Sequence, residues 1–190
     1  MNPRGFRVGS ASTRENHCYN EWVKRFFPQL VFLSVALWVG GGVFLTAVVG
    51  PTVFSRELSE VITRHQAGLV AQAILSRYFV LQLILAAIAF IGSFRARAWG
   101  WKWSSLALPL AAGLLLLVLG SGLILQPRMR EWNEIRYSPS RSKVEQEEAR
   151  VRFGQWHGIA QLGNLLVLSG ALLLGWQQGF SSGRDGSKPD

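Results

Sequence analysis

Three polar side chains recur where a charged run enters the last hydrophobic stretch: His157, Gln161 and Asn164, at i, i+4 and i+7. On a helix these positions share one face. An imidazole and two amides can together hold a ligand, a metal ion or a proton. The same set can instead hydrogen-bond across helices and fix their packing, at about 0.6–2 kcal/mol per bond. Both uses turn the face toward other helices, because polar groups facing lipid are costly without a partner. Trp38 and Gln82 lie deep inside apolar stretches, and a buried indole N–H needs an acceptor. Trp38, Gln82, His157, Gln161 and Asn164 therefore form the candidate ligand-binding set. His65 and His157 form a candidate pair for a metal ion or haem, with no third ligand evident.

Composition narrows the chemistry. The chain has 190 residues, 49% of them hydrophobic and only 16% charged, against roughly 25% charged in soluble domains. Its apolar residues come in blocks, which marks a membrane protein. The net charge of +9 is scattered around those blocks. It fits spans flanked by cations at an anionic lipid surface, and forms no stripe that would bind nucleic acid. The lone Cys18 excludes an intrachain disulfide framework. No P-loop, HExxH, GxSxG or dinucleotide fingerprint occurs. The apolar spans contain no Asp or Glu, which argues against a carboxylate proton relay and against carboxylate catalysis. The residues call for no cofactor and for no enzyme activity.

Four apolar stretches must position the candidate residues: about 29–50, 75–94, 104–126 and 157–176. At 1.5 Å per residue each reaches about 30 Å, the thickness of the hydrocarbon core. The pattern predicts an all-α, antiparallel four-helix membrane bundle over residues 28–178. A basic, mostly disordered tail (1–27) is expected before it and a disordered tail (179–190) after it. The first apolar run is too long for a signal peptide and reads as a retained span. Gly40, Gly41 and Gly42 follow Trp38 and allow close helix approach. Pro51 and Pro127 are expected to end spans one and three, with Pro109 a kink. Residues 56–76 read as an amphipathic helix before span two, at the interface or extending it. Arg77 and Tyr78 read as an interfacial anchor. Arg95, Arg97 and Lys102 interleave with Trp99, Trp101 and Trp103 as a basic, aromatic membrane boundary. The connection 128–155 is expected to become helical near Ser142, with Glu147–Arg150 and Glu148–Arg152 pairs on a solvated face, and to run unbroken into span four.

Taken in order, Trp38-x-Gly40-Gly41, Pro51-x-x-Phe54, Arg64-x-x-Ala67-Gly68, Tyr78-Phe79, Phe153-x-x-x-His157-Gly158 and Asn164 resemble the transmembrane-protein-205-like family, also called domain of unknown function 4149. The resemblance covers about residues 30–176. It implies a four-span helical membrane protein with no catalytic assignment to transfer.

Two functional readings follow from different classes. In the first, a small molecule is bound or moved at the polar face of span four. In the second, the same face only locks the bundle, and function lies with a homo-oligomer or a membrane-protein partner. A haem or metal redox protein built on His65 and His157 is a third. Four spans place both termini on one side of the bilayer. Lys and Arg tie at ten per side. The acid-free connection between spans two and three, and Lys24-Arg25 at the start of span one, lean toward cytoplasmic termini.

Overall fold

A computed structural model describes the backbone of residues 11–98 and 105–182, and the side chains of 26–98 and 105–177. Among these residues the chain is helical throughout, with turns and no strand. The described residues form seven α-helices: α1 (Ala11–Phe44), α2 (Gly50–Val53), α3 (Arg56–Ser59), α4 (Arg64–Ala98), α5 (Ala107–Gly120), α6 (Gln126–Tyr137) and α7 (Lys143–Ser182). A five-residue π-helical turn, Leu45–Val49, joins α1 to α2, and a second, Ser121–Leu125, joins α5 to α6. Among the described residues, four continuous helical stretches are long and apolar enough to cross a membrane: Phe26–Val53, Arg64–Ala98, Ala107–Tyr137 and Lys143–Gln177.

The four form an antiparallel bundle in which α1 packs against α4 and α7, and α5 against the same two. Its core runs through Val31, Val35 and Trp38 of α1, Leu85, Ala86 and Ala89 of α4, Ala111, Leu114 and Val118 of α5, and Val167, Ala171 and Leu174 of α7. Large apolar side chains such as Phe32, Leu116, Leu123 and Leu166 point outward, as a lipid-facing surface requires. Small residues let the helices close. A Cβ on Gly92 of α4 would fall on Val31 Cγ2, and one on Gly170 of α7 would stand 2.7 Å from Leu114 Cδ2.

Several boundaries differ from the sequence expectation. Helix α1 begins at Ala11, within the stretch read as a disordered tail. Span one ends at Val53, two residues past Pro51, close to where it was expected to end, whereas Pro127 does not end span three, whose helix runs on to Tyr137. Each lies two residues beyond a π-helical turn, and the helix continues through it. A proline ring clashes with the carbonyl four residues back and donates no hydrogen bond. Those carbonyls belong to Ala47 and Leu123, inside the two π turns. The wider turn absorbs the clash. Pro109 sits in the first turn of α5, where a missing N–H costs nothing. The expected amphipathic helix over 56–76 is split. Helix α3 ends at Ser59, and α4 starts anew at Arg64. A reciprocal cap sets that start: Gln66 Oε1 accepts from Thr63 N (2.8 Å), and Thr63 Oγ1 accepts from Gln66 N (3.3 Å). The aromatic residues Trp99, Trp101 and Trp103 lie outside the described residues.

The connection after span three is two antiparallel helices, the second beginning near Ser142 as expected and the first, over Gln126–Tyr137, not expected. Helix α6 runs to Tyr137, a turn spans Ser138–Ser142, and α7 runs unbroken from Lys143 into span four. Helices α6 and α7 pack together, burying Asn133 and Ala149. The Glu147–Arg150 and Glu148–Arg152 pairs form on the exposed face, at 2.6 and 3.9 Å. Exposed pairs of this kind contribute little. Ser142 and Glu145 cap α7. The Glu145 carboxylate accepts from the Ser142 backbone N–H and hydroxyl, both at 2.9 Å. The Ser142 N–H chiefly, then its hydroxyl and the Arg141 cation, hold the carboxyl below its ordinary range. A depressed folded-state pKa means the contribution is present above the unfolded value and lost as pH falls through the folded one. The first turn of α7 should therefore fray on acidification below the usual carboxylate range. Glu145→Gln should remove that dependence. The Ser142 amide chemical shift followed against pH checks this, and an identical titration in the variant would refute it.

Candidate functional site

The bundle separates the five candidate residues into an inner and an outer group. Trp38 is fully buried at 0% exposure, and Gln82 is buried at 5%. His157 and Gln161 are exposed, and Asn164 is half-buried. The expectation that the polar face of span four turns inward is corrected. The inward stripe of α7 is Ala149, Trp156, Ala160, Val167, Gly170 and Leu174, none of them exposed. His157 and Gln161 each follow a stripe residue by one, about 100° further round the helix. The stripe wins because its small and apolar side chains let α7 close on α1 and α5. His157 and Gln161 satisfy each other instead. Gln161 Nε2 lies 3.2 Å from His157 Nε2 and donates to it when the ring carries its proton on Nδ1.

The inner group gains a member. The Tyr78 hydroxyl donates to the Trp38 carbonyl at 3.0 Å, tying α4 to α1 across the bundle. Gln82, one turn on, lies against the same hydroxyl. Tyr78 is therefore an interior tie rather than the interfacial anchor expected beside Arg77. Two of the three consecutive glycines make the approach possible. A Cβ on Gly41 would stand 3.0 Å from Tyr78 Cε2. One on Gly42 would stand 2.6 Å from Leu168 Cδ2 and 3.0 Å from the Tyr78 hydroxyl. Gly40 has nothing near it and faces outward. The Trp38 indole N–H has no acceptor in this packing. The neighbouring Phe79 reaches Gly122, inside the second π turn, where a Cβ would stand 3.5 Å from its ring. Tyr78-Phe79 thus bridges the two irregular helices next to both π turns, a kind of turn frequent at functional sites.

A second cluster forms where α4, α6 and α7 meet at the end bearing the Ser138–Ser142 turn. The His65 ring packs on Tyr137, with centroids 4.5 Å apart. The Arg136 guanidinium lies 4.6 Å from the Tyr137 ring centroid and 5.3 Å from that of Phe153. Phe153 in turn stacks on His157 at 5.9 Å. Each histidine ring is packed against an aromatic ring rather than against the other histidine, with Tyr137, Arg136 and Phe153 intervening. Among the described residues no group of three His, Cys, Asp or Glu is placed to hold a metal ion. Arg136 and Tyr137 were not singled out by sequence. The only signal was an adjacent cation and ring within a run of charges.

A four-span bundle with these motifs can be set against known families. The model for a domain of unknown function, DUF4149, matches residues 33–138, more than half of the chain. The chain belongs to the DUF4149 family. The DUF4149 match takes in Trp38, Tyr78, Gln82 and Arg136, and stops before α7 with His157, Gln161 and Asn164. No curated protein and no solved structure matches the chain.

Proposed function

We propose that this DUF4149 protein is a membrane-embedded binding protein for a small, neutral, lipid-soluble molecule, bound at the Trp38–Tyr78–Gln82 core. The carrying observation is the Trp38 indole N–H, fully buried and without an acceptor. Leaving such a donor unmade costs about 1–3 kcal/mol. A ligand carbonyl or ether oxygen would recover it. Gln82 adds a second buried polar group next to the Tyr78 hydroxyl, and the absence of Asp and Glu from the spans favours a neutral ligand. The role is binding, not catalysis. The affiliation with transmembrane-protein-205-like proteins, supported by the motif residues, and cytoplasmic termini, supported by the acid-free connection after span two, belong to the same reading.

The test is a thermal-shift titration of detergent-purified protein with a short-chain quinone as a neutral dicarbonyl probe. Wild type should be stabilised, and Trp38→Phe, which keeps a ring but removes the N–H, should respond at least about tenfold more weakly. Equal responses would sink the proposal. The second reading, in which the core only locks helix against helix, is favoured by the Tyr78–Trp38 hydrogen bond and the Gly41–Gly42 approach. It expects no response in either protein.

A further inference from the structure

Among the described residues, Arg136 is the only cation that is not exposed. Arg128, Arg141, Arg150 and Arg152 are exposed and each meets a glutamate three or four residues away. Arg136 has no carboxylate partner among the described residues. Its guanidinium is held between the Tyr137 and Phe153 rings, with Nη2 donating to the Tyr137 hydroxyl at 2.6 Å. A half-buried, unneutralised guanidinium is costly, and the clamp fixes it with further N–H donors unused. Such a fixed fork matches the oxygens of a phosphate group.

Its depth indicates where that phosphate would come from. Phe153 precedes by one turn, about 6 Å along α7, the charge-free apolar stretch that begins at His157. The headgroup layer extends about 5–7 Å beyond the hydrocarbon core on each side. The guanidinium therefore lies at the level of lipid phosphates. We propose that Arg136 anchors a phosphate-binding site in the headgroup layer, on the side of the membrane bearing the Ser138–Ser142 turn, with Tyr137 and Phe153 as its walls. This site is separate from the Trp38 core and does not depend on the function proposed for it.

The test uses the full chain in mild non-ionic detergent and follows thermal unfolding. The probes are short-chain phosphatidylglycerol, a diglyceride of the same chains, and inorganic phosphate. Phosphatidylglycerol should stabilise wild type and the diglyceride should not. Arg136→Gln should weaken the response about tenfold or more, as expected for losing charge-assisted hydrogen bonds. Arg136→Lys keeps the charge but loses the fork. It should weaken the response less than Arg136→Gln does, and it serves if the glutamine variant fails to fold. Arg128→Gln, at an exposed paired arginine, should respond as wild type. Stabilisation by inorganic phosphate at comparable concentration would identify a free phosphate as the occupant, and stabilisation by the phospholipid alone would identify a lipid headgroup. Undiminished response in the Arg136 variants, or an equal response to the diglyceride, would overturn the assignment.

Discussion

Gly92→Ala is expected to destabilise the bundle by about 1–3 kcal/mol, the range for overpacking a close contact. The added methyl would land on Val31 Cγ2. Val31 is completely buried and β-branched, so it has little rotamer freedom with which to move aside. Helices α1 and α4 would have to part along the stretch where Ala89, Ser93 and Ala96 are also buried. Gly40→Ala is the matched control. Its Cβ would meet nothing within 4 Å, and alanine is the better helix former by roughly 0.5–1 kcal/mol. The same chemical change should therefore have opposite signs at the two glycines, read as melting temperature in one detergent. Equal shifts would mean that α1 and α4 do not approach as closely as Gly92 and Val31 indicate.

That contrast also shows what could be read from the sequence and what could not. The four spans were legible because an apolar block has no competing explanation at this length. The helical nature of Arg128–Tyr137 was not, because a charged stretch reads as a connection. What makes it a helix is tertiary: α6 packs on α7 and buries Asn133 and Ala149. Pro127 misled for a related reason. A proline breaks an ideal α-helix, but the π turn ahead of Pro127 carries the helix past it to Tyr137. At the site, the shared face of His157, Gln161 and Asn164 was correctly aligned and wrongly aimed. Polarity alone favoured turning it inward. Trp156, Ala160 and Val167 turn toward the bundle instead, and only Asn164 of the polar set is half-buried. Trp38 and Gln82 were legible as buried because lipid leaves such groups few alternatives. Their partner Tyr78 was not, since its depth depends on a register fixed by Gly41 and Gly42 across the bundle.

Trp38→Ala should have the largest effect of any single truncation, about 3–5 kcal/mol. Among the described residues Trp38 is the largest fully buried side chain, and it shares one core cluster with Val35, Leu85 and Leu174. Removing it leaves a cavity that neighbouring helices, tied by the Tyr78 hydrogen bond to the Trp38 carbonyl, cannot collapse freely to fill. Trp38→Phe should cost under about 1.5 kcal/mol, because the lost N–H makes no hydrogen bond within the protein. The difference between the two variants isolates packing from polar chemistry. Indole added to Trp38→Ala should recover part of the lost stability by refilling an apolar cavity. A loss under about 1 kcal/mol in the alanine variant would show that the bundle does not close around Trp38. The glycines that bring Tyr78 and Leu168 up to α1 would then owe their placement to something other than this core.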